Sequence, residues 1–238
     1  ELELKRGGRT ARVETLGGEL VSYRDERGLE YIWGGDPAYW PGRNPLLFPI
    51  VGMLKEGKIR FDGREYAMER HGFARRREFT PAARGEDWVR LELRESAETL
   101  ALYPYSFRLA VEQRLTDTGF STAVTVANPG EGPLPFCLGA HTGFRCPLEA
   151  GERFEDYELV FPERESCPTL LLRDGLLDRP AALPCLEDTD TLPLDYRWFD
   201  ALDTLIFEGL RSRSVTLRSR KSGRGVRVSF DGFPMLAF

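Results

Sequence analysis

Histidine is nearly absent from this chain, and the motifs that usually carry metals or span membranes are absent too. His71 and His141 are the two histidines among 238 residues. The four cysteines form no C-x-x-C pair, which argues against a zinc centre and favours reduced thiols. No segment approaches the roughly 18 apolar residues that a membrane-spanning helix needs, and no signal-peptide pattern opens the sequence. We therefore expect no metal, no membrane partner and a cytoplasmic location.

The charge balance gives no reason to expect nucleic acid as a partner. The formal net charge is −5, with 30% charged and 41% hydrophobic residues, which is ordinary for a soluble chain with a proper core. Basic residues are interleaved with acidic ones, and the run RRR at 75–77 is too short to follow a phosphate backbone. Oligomeric state is not predictable from this composition.

Alternation of apolar and polar residues runs through most of the sequence. FRLAVEQRL at 107–115 and FSTAVTVAN at 120–128 alternate with a period of two and are joined by a turn signal, TDTG. Asp62-Gly63 separates two further alternating runs and is a strong hairpin signal. No stretch keeps a helical period of 3.6, so helices should be short connectors. The pattern predicts an all-β protein in which residues 1–238 form one domain, a large sandwich of antiparallel sheets.

Two familiar catalytic motifs can be set aside. GMLKEGK at 52–58 has the spacing of a phosphate-binding loop, but Ile59 follows where Ser or Thr would hold magnesium. A hairpin is also predicted there, whereas that loop must lead into a helix. No G-x-S-x-G elbow is present for a serine nucleophile. The sequence therefore predicts no nucleotide and no other cofactor.

The two histidines have similar surroundings, in RHGFAR at 70–75 and AHTGF at 140–144. Each could be an ordinary half-buried histidine that a backbone hydrogen bond satisfies. The alternative is functional: the glycines would leave room for another molecule, and Phe73 and Phe144 would offer apolar faces to a sugar. Imidazole is also the natural general acid near pH 7.

Three separated segments carry a resemblance to a known family. Residues 44–75 (NPLLFPIVGMLKEGKIRFDGREYAMERHGFAR), 134–148 (LPFCLGAHTGFRCPL) and 202–234 resemble the aldose 1-epimerase, or galactose mutarotase-like, family. Within it they resemble the shorter bacterial lactose-operon X-type branch. The resemblance implies an antiparallel β-supersandwich that binds a small-molecule sugar. It also implies an enzyme that interconverts the α and β anomers of an aldose or aldose phosphate.

The resemblance also implies roles for individual residues. His141 matches the histidine that protonates the sugar ring oxygen, and His71 matches the one that hydrogen-bonds the sugar near that oxygen. Asp203 matches an aspartate that binds sugar hydroxyls. Arg43 and Arg75 lie beside the matched motifs and are candidates for contacting hydroxyls or a phosphate.

The chain also departs from the family pattern. Met53 stands where the family has a sugar-binding Arg, and Thr142-Gly143-Phe144 follows the acid histidine in place of Pro-Ala-Phe or Ser-Tyr-Phe. The family's catalytic base is a Glu near its C-terminus, and we expect that Glu and further strands beyond Phe238. A carbohydrate-binding supersandwich without turnover is therefore the alternative. A glycoside hydrolase would need a carboxylate pair, and no pair stands out.

Overall fold

The computed structural model describes residues 1–238, with the side chain of Pro180 excepted. Strands hold 48% of the residues and helices 9%, so the predicted all-β class is confirmed. The backbone contacts divide the chain into two compact units, Glu1–Arg145 and Cys146–Phe238. The single domain expected from the sequence stays a prediction, and each unit is described by itself.

The first unit is built from antiparallel hairpins. Its sheets have the orders β1-β2-β3 and β10-β9-β8-β7, with the smaller pairs β5-β6 and β4-β11. The bounds are β1 (Leu2–Arg6), β2 (Arg9–Val13), β3 (Leu20–Arg24), β4 (Leu46–Leu47), β5 (Lys58–Phe61), β6 (Arg64–Ala67), β7 (Thr80–Arg84), β8 (Trp88–Arg94), α1 (Ala97–Leu102), β9 (Arg108–Leu115), β10 (Phe120–Ala127) and β11 (Gly139–Ala140). Short 3-10 turns cover Lys55–Gly57 and Ala74–Arg76.

Local sequence explains these hairpins. The β9-β10 ladder pairs Leu115 with Phe120, as the alternating runs predicted. Asp62 and Gly63 have φ of 48° and 78°, the left-handed pair that a tight two-residue hairpin turn requires, and β5 and β6 pair on either side of them. GMLKEGK contains the 3-10 turn Lys55–Gly57 and runs directly into β5, so that segment leads into no α-helix N-terminus.

The second unit contains one larger sheet of order β16-β15-β12-β14-β17, with β13 paired to β12. The bounds are β12 (Tyr157–Arg173), β13 (Leu176–Pro193), α2 (Tyr196–Leu202), β14 (Ile206–Glu208), β15 (Ser214–Ser219), β16 (Gly225–Ser229) and β17 (Met235–Ala237), with a 3-10 turn at Phe154–Asp156 before β12. Strands β15 and β16 form a hairpin through RKSG at 220–223.

The first strand of the long hairpin β12-β13 contains two prolines. Pro162 and Pro168 interrupt the run, and proline within a strand argues against a central ladder position. The ladder accommodates both residues through register shifts, one between Val160 and Glu165 and another between Cys167 and Thr169.

The described residues contain no helix with the length and apolarity needed to cross a membrane. Cys137, Cys146, Cys167 and Cys185 are free thiols, as predicted.

Candidate functional site

The two histidines lie side by side in the first unit. Their ring centroids are 5.9 Å apart, although 70 positions separate the residues in sequence. His141 follows directly after β11, and its backbone N–H donates to the carbonyl of Pro45 at 3.1 Å. The N–H of His71 donates to the carbonyl of Gly52 at 2.8 Å. Pro45 and Gly52 lie at the two ends of the segment that contains β4, so hydrogen bonds to this one segment fix the backbone of both histidines.

His71 is fixed in one tautomer by its backbone neighbour. The N–H of Gly52 donates to Nδ1 of His71 at 3.0 Å, so Nδ1 is an acceptor and the ring proton sits on Nε2. Burial lowers the pKa of His71 to about 4, with smaller contributions from Arg70, His141 and Arg75. At pH 7 this ring is neutral and presents an Nε2–H donor.

His141 lies against an aromatic side chain. The indole ring of Trp40 is 4.7 Å from the imidazole, tilted by 43°. Part of the residue is open to solvent, yet protein surrounds the ring closely enough that desolvation is the largest cause lowering its pKa. The guanidinium groups of Arg70 and Arg75 lower that pKa further. In the part of the chain that the structure describes, no carboxylate is among the charges that shift the pKa of either histidine.

The glycines beside the histidines do not leave room for a ligand, which corrects the sequence interpretation. A Cβ on Gly72 would stand 2.2 Å from the carbonyl oxygen of Phe48, and one on Gly143 would stand 2.7 Å from the ring of Trp40. The space beside each glycine is filled by the protein's own backbone and indole. Both glycines therefore position the histidine segments rather than admit a sugar.

Phe73 does not offer the sugar-facing surface that the functional alternative required, and Phe144 packs partly against the core. Phe73 is only 5% exposed and packs with Phe48 and Phe107, at centroid distances of 6.1 and 5.8 Å. Phe144 is half-buried, bridges to Ile32 and packs against the same core. No sequence pattern indicated Trp40, which lies just before the matched segment that starts at residue 44.

Hydrogen bonds to Arg43 and Asn44 fix the two residues that follow His141. The hydroxyl of Thr142 donates to Oδ1 of Asn44 at 2.6 Å, and the N–H of Gly143 donates to the carbonyl of Arg43 at 2.6 Å. The carboxylate of Glu19 accepts from the N–H groups of Arg43 and Asn44, at 3.0 and 2.5 Å. These hydrogen bonds couple the loop before β4 to the loop after β11. Thr142, a departure from the family pattern, is thus a structural link here.

The remaining predicted residues have different surroundings. Nε of Arg43 donates to the carbonyl of Gly34 at 3.2 Å, a contact that fixes the local loop. Nη2 of Arg75 donates to the carbonyl of Arg70 at 2.9 Å, which folds its side chain back over the His71 turn. Asp203 lies in the second unit, directly after α2, with a φ of 63°.

Metal chemistry has no candidate here: the described residues contain no group of three or more His, Cys, Asp or Glu placed to hold an ion.

Similarity to known proteins covers nearly the whole chain. The aldose 1-epimerase family matches residues 1–234. The chain belongs to the aldose 1-epimerase family. It is 44% identical to the plasmid-encoded protein LacX of Lactococcus lactis subsp. lactis, over 99% of this chain and 81% of that protein. Membership indicates an isomerase of the carbohydrate epimerase kind.

Two solved structures show the same fold. A galactose mutarotase related enzyme from Lactobacillus acidophilus superposes with a TM-score of 0.93 at 27% identity, over 99% of this chain and 79% of that one. A galactose mutarotase-like protein from Lactobacillus casei gives 0.87 at 29% identity, over 99% and 81%. The galactose mutarotase-like fold predicted from the sequence is confirmed.

Proposed function

We propose that this protein is an aldose 1-epimerase that interconverts the α and β anomers of an aldose or aldose phosphate. His141 is the general acid of ring opening, and His71 donates a hydrogen bond to the sugar beside it. The observation that carries the proposal is the pairing of the chain's two histidines, ring against ring at 5.9 Å, within a chain of this family.

The reaction needs a base and an acid on one sugar. The base removes the proton of the C1 hydroxyl, the bond between C1 and the ring oxygen breaks, and the acid protonates that oxygen. The product is the open aldehyde. Rotation about the bond between C1 and C2 followed by reclosure gives the other anomer, with every proton returned. No metal or nucleotide takes part in these steps.

The electrostatics of the pair suit these roles. Since burial lowers the pKa of His141, its neutral form is favoured at rest and its imidazolium releases a proton more readily. The same ring can take the proton back when the sugar closes. Neutral His71, with its proton on Nε2, donates to a sugar oxygen without competing for the proton in transfer.

Arg43, Arg75 and Asp203 are proposed as sugar-binding residues. The support for Asp203 is the match of LDTLIF to the family pattern, and that for the arginines is their position beside the matched motifs. The proposed location of the enzyme is the cytoplasm, on the pattern of reduced thiols.

A specific observation favours one alternative, a sugar-binding protein without turnover. Met53 replaces the family's Arg, and within the described residues the pKa values of the histidines respond to cations and burial, not to a carboxylate base. Such a protein would bind sugar at this site and leave the anomer ratio to relax at its spontaneous rate.

Polarimetry on freshly dissolved α-anomers separates the two functions. In a protein that includes the Glu base expected from the family resemblance, wild type should accelerate the change in rotation, and His141→Gln should slow it by about 10²–10⁴-fold while sugar still binds, because a positioned acid contributes that much. Tyr39→Ala is the control, since Tyr39 is 83% exposed and should leave the rate unchanged. Full activity of His141→Gln would refute its role as the acid. Sugar binding by wild type without acceleration would favour the alternative.

A further inference from the structure

Strand β10 has an open outer edge. It ends the sheet order β10-β9-β8-β7, and among the described residues its backbone ladder is with β9 alone. Phe120, Val124 and Val126 pack against the core but stay half-buried. Residues 121–123 are all exposed, although successive residues of a strand point to opposite faces of the sheet. The strand is therefore accessible from the side as well as from its solvent face.

The composition of β10 leaves that edge unprotected. Its eight residues, FSTAVTVA, include no charged residue and no proline, and its ladder with β9 runs without a register shift. Every other described strand of four or more residues contains a charged residue. At the opposite edge of the same sheet, β7 (TPAAR) combines Pro81, Arg84 and a register shift. Charges, prolines and bulges keep an edge strand from pairing with another chain, and β10 has none of them among its described residues.

We propose that β10 is a self-association surface, where a second copy of this chain adds its own β10 as an antiparallel strand. A two-fold axis normal to the sheet relates the copies, and the two sheets continue into each other. The proposal goes beyond the proposed function, since β10 contains neither histidine and none of the predicted sugar-binding residues.

The charge pattern selects a second copy as the partner. A partner strand rich in charge would find no complementary charge on β10. When β10 pairs with its own copy, by contrast, every register places neutral side chains opposite one another, so no like charges meet within the ladder. Asp117, the nearest charge before the strand, is already paired with Arg6 at 2.9 Å.

Pairing also covers the half-buried side chains at the edge. With Ala123 on the axis, Phe120 lies opposite Val126 of the second copy, and Thr122 lies opposite its Val124. Aromatic and β-branched residues are favourable cross-strand partners. The backbone groups on the open edge gain ladder hydrogen bonds, and the pair buries apolar surface that one copy alone leaves in water.

The oligomeric state of the chain tests the proposal. Analytical ultracentrifugation of the 238-residue protein over a wide concentration range should show monomers that combine into dimers and into nothing larger, because a two-fold pairing is closed. A monomer at every concentration would overturn the proposal. Growth beyond the dimer would overturn it too, since an open-ended contact has no two-fold axis.

Single lysine substitutions test whether β10 forms the interface. Ala123 and Thr125 are exposed on the solvent face of the strand. Ala123→Lys and Thr125→Lys should each raise the dissociation constant of the dimer about tenfold or more, because the two copies then bring like charges together near the axis. Ala82→Lys is the matched control, since Ala82 is exposed on β7 at the opposite edge of the same sheet. An unchanged dimer in both β10 variants, or equal weakening in the control, would overturn the assignment.

Hydrogen exchange on the wild-type protein gives a readout that needs no variant to fold. The amides of β10 that face the open edge should exchange more slowly at high protein concentration than at low concentration, because the second copy accepts their hydrogen bonds. The amides of β7 should show no such dependence. A dimer that leaves exchange in β10 unchanged uses another face of the protein, and that result would overturn the proposal.

Discussion

Gly72 lies so close to Phe48 that a Cβ at position 72 would stand 2.2 Å from the Phe48 carbonyl oxygen. The two residues form a parallel bridge, and the N–H of the next residue, Phe73, donates to the same carbonyl at 3.0 Å. His71 and Gly72 have φ of 67° and 69°, so two successive residues adopt the left-handed conformation at this contact. The packing of one backbone on another thus determines where the imidazole of His71 sits.

Gly72→Ala should therefore destabilise the protein strongly. The substitution adds left-handed strain and a backbone clash, which together should cost ~3 kcal/mol or more of the free energy of unfolding. Gly63→Ala is the matched control, because Gly63 has a φ of 78° and a methyl group there would meet nothing within 4 Å, so only strain applies and ~1 kcal/mol is expected. Denaturant unfolding measures both. Equal losses would show that the Phe48 contact yields at little cost.

The tautomer and charge of His71 form a second prediction. The ring should be the neutral Nε2–H form down to a pKa of about 4, because Gly52 donates to its Nδ1 and burial disfavours the cation. His141 should titrate below the ordinary range as well. Nitrogen-15 spectra of the imidazoles measure this directly, because the two histidines give only four ring-nitrogen signals, one pair for each ring. A protonated Nδ1 on His71 at pH 7 would contradict the assignment.

The two histidines could be identified as candidates from the sequence, but their surroundings could not be predicted from it. The period-two runs and the Asp62-Gly63 turn are local signals, so the hairpins could be predicted from them. The contact of Gly72 with Phe48 joins residues far apart in sequence, and no local pattern reports it. The same holds for Trp40, which reaches His141 across the chain. In a sequence, a glycine beside a histidine looks the same whether the space next to that glycine is filled by a ligand or by the protein itself.

The lowered pKa of His71 makes stability depend on pH. Its folded pKa is about 4, against an ordinary 6.5, so between these values the unfolded chain binds a proton that the folded chain does not. The free energy of unfolding is therefore highest above pH 6.5 and falls as the pH drops towards 4. The fall is roughly 2 kcal/mol once solvent around this half-buried ring is allowed for.

His71→Asn should remove that part of the pH dependence. Asparagine offers an oxygen near the place of Nδ1 for the N–H of Gly52 and tolerates a positive φ, but it does not titrate. Urea unfolding at pH 7 and pH 4.5 measures the difference for wild type and variant. An unchanged difference in the variant would assign the acid sensitivity to other groups, with His141 the next to test.

Trp40 should control the protonation of His141. Its ring packs 4.7 Å from the imidazole, and desolvation is the largest cause of the lowered pKa of His141. Trp40→Ala admits water to that face, so the pKa of His141 should rise towards 6.5 while that of His71 moves less. The carbonyl of residue 40 still accepts the indole N–H of Trp33 at 2.8 Å, because the substitution leaves the backbone in place.

The control for Trp40→Ala is its neighbour in sequence. Tyr39 is 83% exposed and contacts the edge of Trp33 rather than either histidine, so Tyr39→Ala should leave both histidine titrations unchanged. The midpoints are read from the imidazole resonances between pH 3 and pH 8. A His141 midpoint that stays low in Trp40→Ala would mean that Arg70 and Arg75 set its pKa, and Arg70→Gln or Arg75→Gln should then raise it instead.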